Sequence, residues 1–488
     1  MASRWLNPKR TLRPLGLALV VSFAGSAPRE ALADPIETNN YSIDLFQGPL
    51  LSPIRQMALG GAIAGYGESI AGLVSNAATP SVRDASSLRH INFDFRASFS
   101  FPIQLFGKSS NDLDNSGDLE DDTSDFIFLS AGGMLQIGSF GAGLLSDLQR
   151  FSLEDEGGET TGITIGRYRA LVGTSFVRGG LAIGAGARAL SMTLDTPDAD
   201  LAYAGAAPEI GVLVRPRTVP FRFGATYRFA VLAQPLEDPD ANGTGPARAG
   251  PLVLPQQVVQ PWELETGIAF QIGPRPLNVP FDDPEDRDDG AEKQVAAARR
   301  QRASERHRIL MQTPDATRRA AEIALDEREA ELVALEDRWL GAEHQWWIER
   351  ADDAFSELPR ERLLVLVSVL ASGPTPNGVG LEGFLDQGVP GQTKFQQIGS
   401  SGAATNFSPR FGIEAEPLIG RLVLRTGSYY EPSRFGGVGR AHFTFGSELR
   451  LFSTDIFGLL EELPYAVELG MDLAPRYESL SASITVFR

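Results

Sequence analysis

The stretch FRFGATYRFAV, residues 221–231, sets Phe221, Phe223, Ala225, Tyr227, Phe229 and Val231 on one side and Arg222, Gly224, Thr226, Arg228 and Ala230 on the other. A period of two is the mark of a β-strand with unlike faces. It recurs in RAHFTFGSELRLF from Arg440, YAVELGMDL from Tyr465 and LSASITV from Leu480. Beyond residue 33 there is no run of apolar residues long enough for a spanning helix,. If such a chain enters a bilayer it does so as strands, because in lipid only helices and closed barrels satisfy every backbone polar group.

A soluble β-sandwich also alternates. Three features favour a membrane barrel instead: arginine and glutamate mixed with glycine on the polar face, aromatic residues near strand ends, and connections that alternate in length. Alternation places fourteen strands between residues 91 and 487, among them 163–177, 207–216, 221–234, 260–273, 361–373, whose LLVLVSVLA is almost uniformly apolar, and 465–475. Tight turns follow even-numbered strands, at 139–140, 178–180 and 418–420. Long polar loops follow odd-numbered ones, at 107–124, 235–259 and 374–407. In bacterial barrels short turns are periplasmic and long loops external, with both termini inside.

The N-terminus reads as an address. Arg4, Lys9, Arg10 and Arg13 precede the apolar LGLALVVSFAGSA, and ALA at Ala31–Ala33 supplies small residues for a peptidase,. Without residues 1–33 the formal charge of −18 becomes about −22, since five basic residues and one acidic residue are removed,. That balance argues against nucleic acid as a partner. The absence of cysteine excludes disulfides and thiolate metal sites, and four histidines leave little for imidazole sites,. No G-x-S-x-G or glycine-rich phosphate loop is present, so no catalytic site is expected and no cofactor.

Five parts result: a signal peptide over 1–33, a hatch segment over 34–90, strands one to eight over 91–277, a charged helical insertion over 278–360, and strands nine to fourteen over 361–488. The insertion opens with a Pro/Asp-rich linker. A helix then follows, with Thr313 as N-cap and Pro314 at its first position. Leu325, Leu332, Trp339 and Trp346 fall seven apart, with Leu335 and Ala342 between them, at coiled-coil spacing. Turn parity places this insertion in the periplasm, where Trp339, Trp346 and Trp347 are candidate anchors for a protein partner. In the loop NDLDNSGDLEDD, Asp112, Asp114 and Asp118 form a calcium candidate, although Thr123 stands where a calcium loop has its bidentate glutamate. By parity Arg222, Arg228, Glu414, Arg425 and His442 face the lumen.

The segment MALGGAIAGYGESIAGLVSNAATP, from Met57 to Pro80, resembles the N-terminal signature of the long-chain fatty-acid transporter family of outer-membrane barrels. Gly60, Gly61 and Ala62 match its turn, Glu68 its acidic position, and Asn76 and Ala78 its last motif; Ala77 stands where the family has proline. The resemblance implies a fourteen-stranded barrel whose N-terminal segment folds inside as a hatch. It also implies a lumen that binds hydrophobic molecules and lets them leave sideways into the membrane. The expected fold is therefore an all-β transmembrane barrel of fourteen antiparallel strands in the bacterial outer membrane, with an N-terminal hatch and a periplasmic α-helical insertion. The expected activity is passive uptake of a hydrophobic or amphipathic small molecule, gated by the hatch around Gly60, Gly61, Ala62, Glu68 and Asn76. The alternative is a structural or adaptor barrel that recruits a periplasmic partner through the insertion.

Overall fold

Ribbons with one greasy and one polar side leave unpaired edges unless the sheet closes. The computed structural model shows that closure. It describes residues 38–84, 87, 89–103, 112–116, 123–154, 160–195, 200–236, 247–249, 252–359, 361–381, 384, 400–456 and 460–487. The export signal therefore lies outside the described residues.

The wall consists of β1 (Ile91–Pro102), β2 (Thr123–Ile137), β3 (Phe140–Glu154), β4 (Thr160–Phe176), β5 (Leu181–Asp195), β6 (Asp200–Val214), β7 (Phe221–Arg228), β8 (Glu263–Ile272), β9 (Leu363–Ser372), β10 (Asn406–Leu418), β11 (Leu422–Glu431), β12 (Arg440–Ile456), β13 (Leu460–Ala474) and β14 (Tyr477–Phe487). Each pairs antiparallel with the next, and β1 closes the ring on β14, with Phe99 opposite Ala482. Strand β7 breaks at Phe229 and Ala230 and resumes as Val231–Pro235.

The alternating faces sort as membrane physics requires. Outward residues such as Phe95, Leu144, Ile183, Ile210 and Phe445 are exposed, whereas Arg222, Arg228 and Glu414 are buried inside. This apolar outer wall suits an outer membrane. No described helix is long and apolar enough to cross a bilayer.

All fourteen expected strands are present, with shifted ends. Strand β6 begins at Asp200 rather than 207. Its outward Ala202, Ala204 and Ala206 give little hydropathy contrast. Residues 257–260 are a separate strand, set off from β8 by Pro261. The uniformly apolar stretch at 363–372 is also wall: Leu364 and Leu366 point inward, onto an apolar cluster of the hatch, while Val367 and Val369 face out. A strand with lipid on one side and a dry hatch on the other has no polar face to show.

Residues 50–83 fill the barrel, as α1 (Ile54–Ala58), α2 (Ser69–Leu73), a single helical turn Thr79–Ser81 and the turns between them. The start of this segment departs from the expectation that both termini lie at the short-turn end. Ser42–Asp44 forms a strand parallel to both Gln257–Gln260 and Gly378–Val379, among the long connections. Ile91 of β1 lies opposite Ile137, beside the tight turn to β3. The chain thus threads the barrel from its long-loop end to its short-turn end before the wall begins.

The insertion is a hairpin of two helices, α3 (Pro284–Gln312) and α4 (Asp315–Ser356). Two expectations are corrected here. The second half of the supposed linker, from Pro284, is already helix: the Glu285 N–H donates to Asp283 Oδ1 at 3.1 Å, and Pro284 takes the first helical position,. Thr313 is the junction rather than an N-cap, because its hydroxyl donates back to the Ile309 carbonyl at 2.7 Å. The seam differs too. Leu325, Glu336 and Trp347 are half-buried and eleven apart, whereas Trp339 and Trp346 are exposed. An eleven-residue repeat gives 3.67 residues per turn and keeps a nearly straight helix facing its partner.

Arginines of α3 cross this seam: Arg302 Nη1 lies 2.6 Å from Glu336 Oε1, and Arg299 Nε 2.8 Å from Glu336 Oε2. These hydrogen bonds, Arg302's foremost, hold the Glu336 carboxyl below the usual carboxylate range. A carboxyl with a lower pKa folded than unfolded adds stability above its unfolded value, and that stability is lost as pH falls through the folded one. The helical circular-dichroism band is expected to stay flat from neutrality to about pH 5 and to fall only below about pH 4. Glu336→Gln should flatten that acid limb; an unchanged limb would refute the assignment.

Candidate functional site

The hatch fits because glycine meets glycine. Gly60 and Gly61 have φ of +58° and +74°, where a side chain is strained,. A Cβ on Gly60 would stand 2.7 Å from the Phe411 carbonyl oxygen, so the turn presses on the backbones of β10 and β11. The wall answers in kind. Eleven of the fourteen strands carry an inward glycine touching a hatch residue or its immediate neighbour, among them Gly141, Gly184, Gly224, Gly267, Gly412 and Gly427. Many stand opposite one another in register: Gly173 pairs with Gly184, Gly184 with Gly211, Gly224 with Gly267, and Gly412 with Gly427. Ser98, Ser368 and Ser481 stand on three remaining strands as buried small inward residues. This belt escaped sequence reading, although one inward small residue per strand was a signal available once the strands were set side by side by parity.

Within the hatch, Ala62 packs with Leu59, Ile63, Tyr66 and the wall's Leu364 and Leu366. The Asn76 amide is fully used: Nδ2 donates to the Ala64 and Val212 carbonyls at 3.0 and 3.1 Å, and Oδ1 accepts from the Ala78 N–H at 2.9 Å and the Thr226 hydroxyl at 3.2 Å. It therefore binds two hatch turns to β6 and β7. Glu68 Oε1 lies 2.7 Å from Arg222 Nη2.

The lumen candidates are nodes of ion-pair networks. Glu414 accepts two bonds from Arg55 of α1, each 3.0 Å, one from Arg362 at 2.9 Å and one from Arg425 at 2.8 Å. Arg425 also meets Glu468 at 3.1 Å and Glu448. Arg228 bridges Glu263 and Glu265, at 3.2 and 2.9 Å. His442 has Asp472 Oδ1 2.8 Å from Nδ1 and Glu431 Oε2 2.7 Å from Nε2, and stacks on Tyr429 at 4.2 Å. Sequence reading found these as inward residues and missed Arg55, Arg188, Arg362 and the buried pair Arg434–Asp44, 2.8 Å, that anchors the N-terminal strand.

The calcium candidates are occupied locally. Asp112 Oδ1 and Asp114 Oδ1 accept the Ser116 N–H at 3.1 and 2.9 Å, and Asp112 Oδ2 lies 3.3 Å from Arg476. Asp118 lies outside the described residues. Among the described residues no group of three or more acidic or histidine side chains could hold a metal ion. Trp347 is half-buried and donates to Glu343 at 3.1 Å, while Trp339 and Trp346 are each 45% exposed.

The hatch separates two cavities of opposite character. At the long-loop end a chamber of about 100 Å³ is lined by Leu45, Phe46, Leu51, Phe151, Ile165 and Tyr477 among others. At the short-turn end a vestibule of about 250 Å³ is lined by charged residues, including Arg55, Glu68, Asp94, Arg362 and Arg450. The chain is a fourteen-stranded membrane barrel closed by an internal hatch. Its N-terminal segment lies where the resemblance to the fatty-acid transporters implies.

No family model matches this chain, and no curated protein does. Among solved structures it is similar to a FadL homologue of Pseudomonas aeruginosa, at 9% identity over 91% of this chain and 98% of that one, with a TM-score of 0.45. It is also similar to the CymD monoaromatic hydrocarbon channel, at 8% identity over 91% of this chain and 97% of the other, with a TM-score of 0.43. A mutant of the TodX monoaromatic hydrocarbon channel matches at 10% identity over 89% and 98%, with a TM-score of 0.42.

Proposed function

We propose that this barrel is an outer-membrane conduit for passive uptake of hydrophobic or amphipathic small molecules, with residues 50–83 as its gate. The observation that carries this reading is the apolar chamber at the long-loop end. Phe46, Leu51, Phe151 and Ile165 supply its apolar lining, with Asp44, Arg167 and Arg434 at its edge, and Leu51 of the hatch forms part of its floor. A greasy pocket inside a polar lumen is costly to leave hydrated, so an apolar solute gains by entering it. Directed release needs the hatch to move, and no nucleotide-binding motif is present to drive that motion.

The chamber gives a direct test. Phe46→Asp places a charge in the apolar lining. Losing the half-buried Phe46 ring and placing a carboxylate in its stead should weaken binding of a nonpolar fluorescent probe about tenfold, a change of about 1.4 kcal/mol,. The heat-dependent mobility shift of the barrel should be unchanged. Unaltered probe binding would refute the chamber as the entry site. A helical hairpin with exposed tryptophans also suits an adaptor, but nothing in the barrel requires that role.

A further inference from the structure

The hatch and the helical hairpin meet at two arginines. Arg222 of β7, 1% exposed, grips both at once. Its Nη1 donates to the Tyr66 carbonyl at 2.9 Å, and its Nη2 lies 2.7 Å from Glu68 Oε1. Its Nε donates to Asn278 Oδ1 at 2.8 Å, and Nη2 to the Leu277 carbonyl at 2.6 Å. Leu277 and Asn278 belong to the leg that leads into α3. On the other leg, between α4 and β9, Arg362 donates to Glu414 at 2.9 Å and to the Tyr66 hydroxyl at 3.4 Å. The Tyr66 ring lies against two guanidiniums, those of Arg55 and Arg222, each 4.9 Å from its centre.

Further ties point the same way. Leu277 packs into the apolar cluster of Leu59, Ile63 and Tyr66. Asp283, the cap of α3, accepts from His90 at 2.9 Å, and Arg83 stacks over Phe281 at 4.1 Å. The stretch by which the hatch leaves the barrel is thus fastened to the first leg of the hairpin. An ordinary short turn after β8 would leave Arg222 without Leu277 and Asn278, and would give His90 and Arg83 no Asp283 or Phe281 to meet.

We propose that the hairpin is the handle of the hatch. Its legs hold the hatch shut through Arg222 and Arg362, which act as positioning residues, and displacement of the paired helices releases it. This rests on the reading of residues 50–83 as a gate. The coupling is mechanical: α4 alone has 42 residues, about 63 Å of helix. The seam ion pairs make α3 and α4 move together, so a tilt reaches both legs.

The chain has no cysteine, so one introduced thiol reports cleanly. Ser75→Cys places it in the hatch at a fully buried site. Its alkylation rate in the purified full chain measures hatch opening. Arg222→Gln, Arg362→Gln and replacement of residues 286–355 by a short glycine–serine link should each raise that rate about tenfold or more. Arg188→Gln serves as control, since Arg188 is equally buried but among the described residues its hydrogen bonds go to Phe229, Pro261 and Glu263 and to no hatch group; it should stay within about twofold. The heat-dependent mobility shift must persist throughout. Labelling at the parent rate in the shortened chain, or an equal rise in Arg188→Gln, overturns the proposal. If labelling rises while no background takes up a hydrophobic probe, the conduit reading fails and the coupling stands. If labelling is flat while Phe46→Asp still weakens probe binding, the coupling alone fails.

Discussion

Gly184→Val is expected to unseat the hatch and leave the barrel wall intact. Gly184 faces inward on β5, where a Cβ would overlap the Ala77 carbonyl oxygen and stand 2.7 Å from the Ala78 Cα. Both obstacles are backbone, so neither can swing aside as a side-chain tip would. Overpacking costs about 1–3 kcal/mol when neighbours can shift. Here the hatch can relieve the clash only by leaving its seat, and about 3 kcal/mol raises the unseated population roughly a hundredfold. Strand pairing is untouched, because Gly184 keeps both its neighbours, Gly173 and Gly211, in register. The expected readout is faster amide exchange over residues 54–81 and a steady leak of small polar solutes from loaded liposomes. The control is Gly133→Val, where a new Cβ would meet nothing within 4 Å; exchange and leak should match the parent. A tight, slowly exchanging hatch in the Gly184 variant would refute the belt as its seat.

That belt marks the boundary of what the sequence discloses. Phe223 and Arg222 differ so strongly in hydropathy that β7 and its faces are legible at sight. Glycine has no such contrast, and only the register between strands shows that Gly173, Gly184 and Gly211 are neighbours. The stretch around Leu364 and Leu366 fails for a related reason. A strand between lipid and a dry hatch is apolar on both sides, so its period vanishes and only its place in the order of strands identifies it.

Inward charges are legible by parity, but their partners are not. Arg222 and Glu414 read as lumen residues because they alternate with Phe and Ile. That Arg222 ends on Glu68 and Asn278 depends on the path of the hatch and of a leg far away in sequence. Arg362 falls at the start of the expected strand 361–373, but the apolar run that follows has no period to assign it a face, and the observed strand begins one residue later, at Leu363. In the insertion, spacing alone cannot separate seven-residue from eleven-residue phase over a few turns. The choice of Trp347 over Trp346 for the seam is made by α3, whose arginines at 299 and 302 need Glu336 facing them.

Glu414→Ala should produce the largest loss of stability of any single charge removal in the lumen. This carboxylate is 1% exposed and receives three guanidiniums, from the hatch, the second hairpin leg and the neighbouring strand β11. Of the three, Arg425 retains Glu448 and Glu468, while Arg55 has no other ion pair among the described residues. Truncating one member of a buried pair costs about 3–5 kcal/mol, because the survivor is left charged and poorly solvated. The loss should fall first on the hatch, since Arg55 is its main ionic tie to β10. Glu414→Ala is therefore expected to free the hatch at a temperature well below that at which the wall unfolds, turning one thermal transition into two. Arg55→Leu removes the hatch's charge together with its need for a partner. Added to Glu414→Ala, it should recover part of the loss, and a double-mutant cycle over the pair should give a coupling of about 1–3 kcal/mol. Additive effects of the two substitutions would show that Glu414 serves the wall alone.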